Sequence, residues 1–120
     1  FARETKVDAM AISVGNVHLQ QDQSGGLDEA RIAAIQKITE VPLVIHGGSG
    51  VPADQRRHLA RTTNICKFNI GTELRMAFGS ALRQAVDKDP DRFDRNQILK
   101  DTHEPVKEAA RYVLRNLKGT

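Results

Sequence analysis

Val41-Pro42-Leu43-Val44-Ile45-His46-Gly47-Gly48-Ser49-Gly50-Val51-Pro52 is the stretch that decides the fold. An apolar run, with proline at its edge where a missing N–H is tolerated, reads as a buried strand. It breaks on glycines, and Pro52 suits the start of a helix running to about Arg61. The same unit recurs on either side. Upstream, Val7 to Val14 reads as a buried strand that stops at Gly15-Asn16. A polar loop follows from Gln20 to Gly26, and then Leu27, Ala30, Ala34, Ile35 and Ile38 fall at helical spacing behind Asp28 as N-cap. Downstream, Ile65 to Ile70 reads as a third strand, ending at Gly71-Thr72 before a helix from about Glu73 to Val86. Cys66, Phe68 and Ile70 are expected to pack under helices, with Lys67 and Asn69 on the other face. Cys66 is therefore expected to be a buried, inert thiol.

Consecutive strand–helix units with loops this short imply parallel strands joined by right-handed crossovers. Asp87 to Arg95 reads as a charged linker, and about Pro105 to Leu117 as a helix with Val106, Ala109, Ala110, Val113, Leu114 and Leu117 on one stripe. The expected organisation is an α/β unit over residues 1–86, followed by a linker and helical extension over 87–120. Three strands are few for an independent parallel sheet, which needs cover on both faces. The opening Phe1-Ala2-Arg3-Glu4-Thr5 resembles a helix entered midway. Both features lead us to expect a piece of a longer protein.

Composition narrows the class. With 39% of 120 residues hydrophobic and 28% charged, the chain is too apolar for disorder. No apolar run approaches the roughly 20 residues of a membrane span. The net charge is +3, and its charges are interspersed, so neither a nucleic-acid partner nor a membrane is expected. A single cysteine excludes an internal disulfide framework and fits a reducing, cytoplasmic setting.

Polar or glycine-rich clusters follow all three strands: Gly15-Asn16-Val17-His18, His46-Gly47-Gly48-Ser49-Gly50 and Asn69-Ile70-Gly71-Thr72. In parallel α/β folds, function is built at the carboxyl ends of strands. Glycines let backbone N–H groups approach an anion, and the following helix N-terminus adds positive potential. A tight strand-to-helix turn needs the same glycines, so both readings of His46 to Gly50 stand. The lysine of a nucleotide P-loop is absent, which argues against a nucleoside triphosphate. His18 and His46 could share one mouth as metal ligands, although a catalytic zinc usually takes three protein ligands. Alternatively they are loop histidines with ordinary hydrogen bonds. Asn69 to Thr72 can present an amide, N–H groups and a hydroxyl to a ligand, or Thr72 can simply cap the next helix. His58 is expected on the surface, and His103 at a helix entry.

Together, Val7-Asp8-Ala9-Met10-Ala11-Ile12, Gly15-x-x-His18, Pro42 to Pro52 and Lys67-Phe68-Asn69-Ile70-Gly71-Thr72-Glu73-Leu74-Arg75 resemble the class II, zinc-dependent ketose-bisphosphate aldolases of fructose and tagatose type. The resemblance covers roughly residues 1 to 80. It implies the C-terminal half of a TIM (β/α)8 barrel, about strands six to eight with their helices, plus C-terminal helices. It further implies His18 and His46 as zinc ligands, and Gly47, Gly48 and Ser49 as holders of the phosphate of dihydroxyacetone phosphate. Asn69, Ile70, Gly71 and Thr72 would complete that phosphate site, with Asn69 also a catalytic residue at the substrate's carbonyl end. The implied reaction, placed in carbohydrate metabolism and glycolysis, is reversible aldol cleavage of a ketose 1,6-bisphosphate. Its products are dihydroxyacetone phosphate and glyceraldehyde 3-phosphate, with zinc as Lewis acid and a monovalent cation as a further ligand.

The chain departs from the family pattern at Leu19, where many members carry glycine, and in Gln20-Gln21-Asp22-Gln23, which lacks their tyrosine- and lysine-bearing loop. The family's earlier half, with a third zinc histidine and the catalytic aspartate, is not in this chain. We therefore expect it to be inactive alone, and to form a homo-oligomer or pair with the missing N-terminal half. The alternative is a metal-free phosphate-binding half-barrel without catalysis.

Overall fold

A computed structural model describes residues 1–118 of the chain. Three short strands, β1 (Met10–Ile12), β2 (Leu43–Ile45) and β3 (Ile65–Phe68), form one parallel sheet in sequence order. The helices are α1 (Ala2–Thr5), α2 (Glu29–Gln36), α3 (Ala53–Thr62), α4 (Thr72–Lys88), α5 (Arg95–Lys100) and α6 (His103–Lys118). Among the described residues, no helix is long and apolar enough to cross a membrane.

Strand pairing explains which face is covered. Met10 pairs with Leu43 and Ile12 with Ile45, while Leu43 pairs with Ile65 and Ile45 with Phe68. Paired residues in parallel strands share a face, so these six side chains form one apolar surface. It packs on Ile32 and Ile35 of α2 and Leu59 of α3, with Val14, Leu27 and Val51 completing the core. The opposite face carries Ala11, Val44 and Lys67, of which Ala11 and Lys67 are exposed. One side of the sheet is a core; the other is exposed along its outer strands, with Val44 buried between them.

The strands are shorter than the apolar runs that announce them. Beyond Ile12, the Val14 N–H donates to Asn16 Oδ1 at 2.9 Å and the Val14 carbonyl accepts from Asp28 N at 2.8 Å. Both groups have left the ladder, although Val14 stays buried. Cys66 corrects the expectation of a buried thiol: it is exposed. The register slips between Leu43/Val44, so that Val44 faces Lys67 and Cys66 becomes the extra residue of a bulge. Ile65 and Phe68, rather than Cys66 and Phe68, then occupy the covered face.

Helix boundaries follow local chemistry. Asp28 is the N-cap of α2, its carboxylate accepting from Arg31 N at 2.9 Å, as the sequence leads one to expect. Between the expected linker, Asp87 to Arg95, and the expected C-terminal helix lies an unexpected helix, α5, capped by Asp94 through Asn96 N. Arg92 bridges Asp89 and Asp101 at 3.3 and 2.7 Å across the turn, and these carboxylates raise its pKa. Helix α6 packs against α3 and α4. Val113 is buried on α6, Ala81 and Ala85 on α4, and Asn116 Nδ2 donates to Ala53 O at 2.8 Å.

Candidate functional site

A cavity of about 460 Å³ opens beyond the carboxyl ends of the three strands. His18, Leu19, His46, Gly47, Ser49, Asn69, Ile70, Gly71, Thr72 and Arg75 line it together with Phe68. All three clusters singled out in the sequence therefore reach one space. Of the residues to which the resemblance gives a metal or phosphate role, Gly48 is the one that does not line it.

The loop after β2 is shaped by its first glycines. Gly47 sits at φ +66°, and a Cβ there would lie 2.4 Å from Val17 O. Glycine is thus required both by the left-handed conformation and by close approach of the loop after β1. Gly48 has a different role. Its N–H donates to Asn69 O at 3.0 Å, and a Cβ would meet Ile70 Cδ1 at 3.0 Å. This glycine lets the loops after β2 and β3 touch. Leu19 is also left-handed, at φ +60°, and stands largely exposed beside His18.

Ser49 is buried, and its Oγ accepts from Gly71 N at 3.2 Å and Glu73 N at 3.3 Å. A serine hydroxyl has two acceptor positions and one donor. Both acceptor positions are occupied, which leaves the O–H of this cavity-lining serine as a donor. The N–H groups of Gly48 and Gly71 are engaged within the protein, whereas those of Gly47, Ser49, Ile70 and Thr72 find no acceptor among the described residues. Gly71, not Thr72, takes the N-cap position of α4. Thr72 is the first helical residue, with its Oγ1 accepting from Arg75 Nη2 at 3.3 Å. A serine O–H, unpaired N–H groups, a helix N-terminus and the Arg75 guanidinium make the cavity complementary to an anion.

The histidines meet at the other wall. The rings of His18 and His46 lie 5.7 Å apart between centroids, tilted by 43°. Asn16 Nδ2 donates to His46 O at 3.0 Å and fixes the backbone that carries the second ring. Asn69 Nδ2 lies 3.0 Å from His46 Nδ1 and 3.5 Å from Nε2. An amide nitrogen donates, so the ring nitrogen that accepts from it must carry a lone pair, and the amide orientation and the ring tautomer are set together. A metal at Nδ1 would displace Asn69, whereas one at Nε2 would need the amide turned over to present its oxygen. Two facing imidazoles suit a zinc-type ion, and no cluster of three His, Cys, Asp or Glu side chains is found among the described residues. The donors present fit part of a metal site.

The other histidines lie elsewhere. His58 is exposed on α3, 3.8 Å from Glu29 Oε2, and His103 opens α6. Sequence reasoning missed Arg75, whose signal was its place one turn into α4 after Thr72. It also missed Arg56, a wholly buried arginine behind the loop after β2.

A family model described as fructose-bisphosphate aldolase class-II matches residues 1–120. The chain belongs to this family. Among curated aldolases, it is 40% identical over 109 residues to the fructose-bisphosphate aldolase of Mycoplasma pneumoniae, covering 84% of this chain and 37% of that protein. It is 33% identical over 117 residues to the 6-phospho-5-dehydro-2-deoxy-D-gluconate aldolase of Bacillus licheniformis, covering 96% and 39%. Among solved structures, the YdjI aldolase of Escherichia coli K12 superposes with a TM-score of 0.66 at 27% identity, over 98% of this chain and 39% of that one. The chain thus spans less than two-fifths of the length of these aldolases.

Proposed function

We propose that this chain supplies the phosphate-binding end and two metal ligands of an aldolase that reversibly cleaves a ketose 1,6-bisphosphate, of fructose or tagatose type. The products would be dihydroxyacetone phosphate and glyceraldehyde 3-phosphate. The observation that carries this reading is the meeting of His18 and His46 with the anion-complementary loops in one cavity. The relatives' names differ in substrate but share a phosphorylated one. We assign residues 1–86 to the last strand–helix units of a TIM barrel, strands six to eight, and 87–120 to a helical extension packed on them. The open sheet face would be the barrel interior, closed by strands outside this chain.

Each residue then has a role. The Ser49 O–H and the N–H groups of Gly47, Ser49, Ile70 and Thr72 donate to the phosphate of the dihydroxyacetone phosphate moiety. Gly48 and Gly71 hold the two loops in register through their own hydrogen bonds. The positive end of α4 adds potential at the anion. Anchoring the phosphate fixes the distance to the reacting carbons, so that binding energy orients them. Asn69, between the phosphate loops and His46, contacts the carbonyl end of the substrate and is the catalytic residue of this segment. His18 and His46 would hold the metal, Zn2+, with a third ligand from elsewhere in the protein. When bound, this ion supplies Lewis acidity toward the ketose carbonyl.

The test is cleavage of fructose and tagatose 1,6-bisphosphates by the intact protein. Chelator and His46→Ala should each abolish turnover, with zinc restoring only the wild type. Ser49→Ala should raise KM about tenfold, the loss of one charge-assisted hydrogen bond. One observation favours the metal-free phosphate-binding module: the Asn69 amide occupies His46 Nδ1. That module would show phosphate affinity indifferent to chelator and no cleavage of either sugar.

A further inference from the structure

Arg56 has no exposed surface, yet it is a guanidinium on a helix, and its burial requires compensation. Its Nη1 donates to Glu73 Oε1 at 2.5 Å and to Gly48 O at 3.3 Å. Gly48 belongs to the loop after β2, and Glu73 to the first turn of α4 after β3. The Glu73 N–H in turn donates to Ser49 Oγ at 3.3 Å, and Ser49 adjoins Gly48. These bonds close a ring: Arg56, Glu73, Ser49, Gly48 and back to Arg56. The ring also reaches the loop after β1, because Gln23 Nε2 donates to Glu73 Oε1 at 3.4 Å. Neither Arg56 nor Glu73 lines the cavity.

We propose that the buried Arg56–Glu73 pair is a positioning device for the phosphate cradle. It locks the loops after β2 and β3 together so that the Ser49 O–H points at the anion. The inference rests on the phosphate role given to Ser49 above. Its physical basis is the acceptor count at Ser49 Oγ. With the Glu73 and Gly71 N–H groups held against it, the hydroxyl proton has one direction left. If α4 shifts relative to the loop, one acceptor position is freed and the hydroxyl turns. Both acceptors are met by Nη1 alone, whose two N–H directions are fixed in the guanidinium plane, whereas a lysine ammonium is a freely rotating point charge. The two remaining donor atoms of Arg56, Nε and Nη2, have no partner among the described residues, so its hydrogen bonding is spent wholly on Glu73 and the loop after β2.

Removing one partner would strand a buried charge, so the informative variant changes both: Arg56→Met with Glu73→Gln. In the intact protein, the readouts are the dissociation constant for inorganic phosphate, the thermal midpoint without ligand, and the division of effects between KM and kcat on fructose 1,6-bisphosphate. The expected result is a folded double variant whose phosphate affinity falls about tenfold, with KM raised more than kcat is lowered. Arg56→Lys keeps the charge and should still lose phosphate affinity several-fold, which decides the matter should the double variant not fold. Phosphate affinity unchanged in whichever of these variants folds overturns the proposal and leaves the pair a structural ion pair. Ser49→Ala separates the two layers. If it leaves phosphate affinity untouched, the cradle reading itself fails; if it weakens binding while the Arg56 variants do not, only the positioning role fails.

Discussion

At the residue scale, the site depends on positions where a side chain cannot be placed. Gly47 combines φ +66° with backbone 2.4 Å from where a Cβ would stand. Gly47→Ala should cost about 2 kcal/mol or more in unfolding free energy, from left-handed strain and the clash with Val17 O together. Denaturant unfolding checks the stability, and titration with inorganic phosphate should show affinity lost with it. The glycines and histidines were legible in the sequence because their chemistry is local. Arg56 was not: it sits in the polar run Gln55-Arg56-Arg57-His58, and its partner Glu73 is distant in the chain. Cys66 was misplaced because Ile65-Cys66-Lys67-Phe68 satisfies two phases of alternation, and the bulge chose between them.

At the scale of elements, the loop after β1 is held by its own polar side chains. The Ser24 hydroxyl, then Gln20 Nε2, donates to Asp22 Oδ1 at 2.7 and 3.1 Å, and these bonds hold the Asp22 carboxyl below its ordinary pKa of 3.8. Gly25 N donates to Gly50 O at 3.0 Å and ties this loop to the loop after β2. A depressed carboxylate pKa stabilises the fold above its unfolded value. That contribution is therefore complete above about pH 4 and is lost as pH falls through the folded value. Amide hydrogen exchange at Ser24 and Gly25 should quicken, relative to the core strands, as pH drops below that point. Asp22→Asn should remove this extra acid dependence. The α2 and α4 regions were legible from apolar spacing and, for α2, from its Asp28 cap, whereas α5 is too short for a periodicity. A further expectation concerns α6. Asn116 anchors it to the start of α3, and Asn116→Ala should cost about 1 kcal/mol, read as a lowered thermal midpoint.

At the scale of the molecule, the chain has a radius of gyration of 17.8 Å and extents of 59 × 29 × 24 Å. A closed globule of this length would have a radius of gyration of about 14 Å. The excess goes with a sheet covered on one face and exposed at Ala11 and Lys67 on the other. Parallel sheets are stable when both faces are covered. The 120-residue chain expressed alone should therefore self-associate, measured by sedimentation, and should lack cleavage activity. If the proposed half-barrel reading holds, mixing it with the N-terminal segment of a related aldolase should restore a discrete species. The parallel order of the strands was legible from the spacing of turns and apolar runs. The identity of what closes the sheet was not, because no residue of the open face names its partner.

The central claim is that His18 and His46 bind a metal beside a phosphate cradle, and elemental analysis of the intact protein tests it most directly. The account predicts stoichiometric zinc in the wild type and its loss in His46→Ala. It also predicts that chelator abolishes cleavage of the bisphosphate while inorganic phosphate still binds. A wild type that stays metal-free in added zinc, or a His46→Ala variant that keeps its metal, would contradict it.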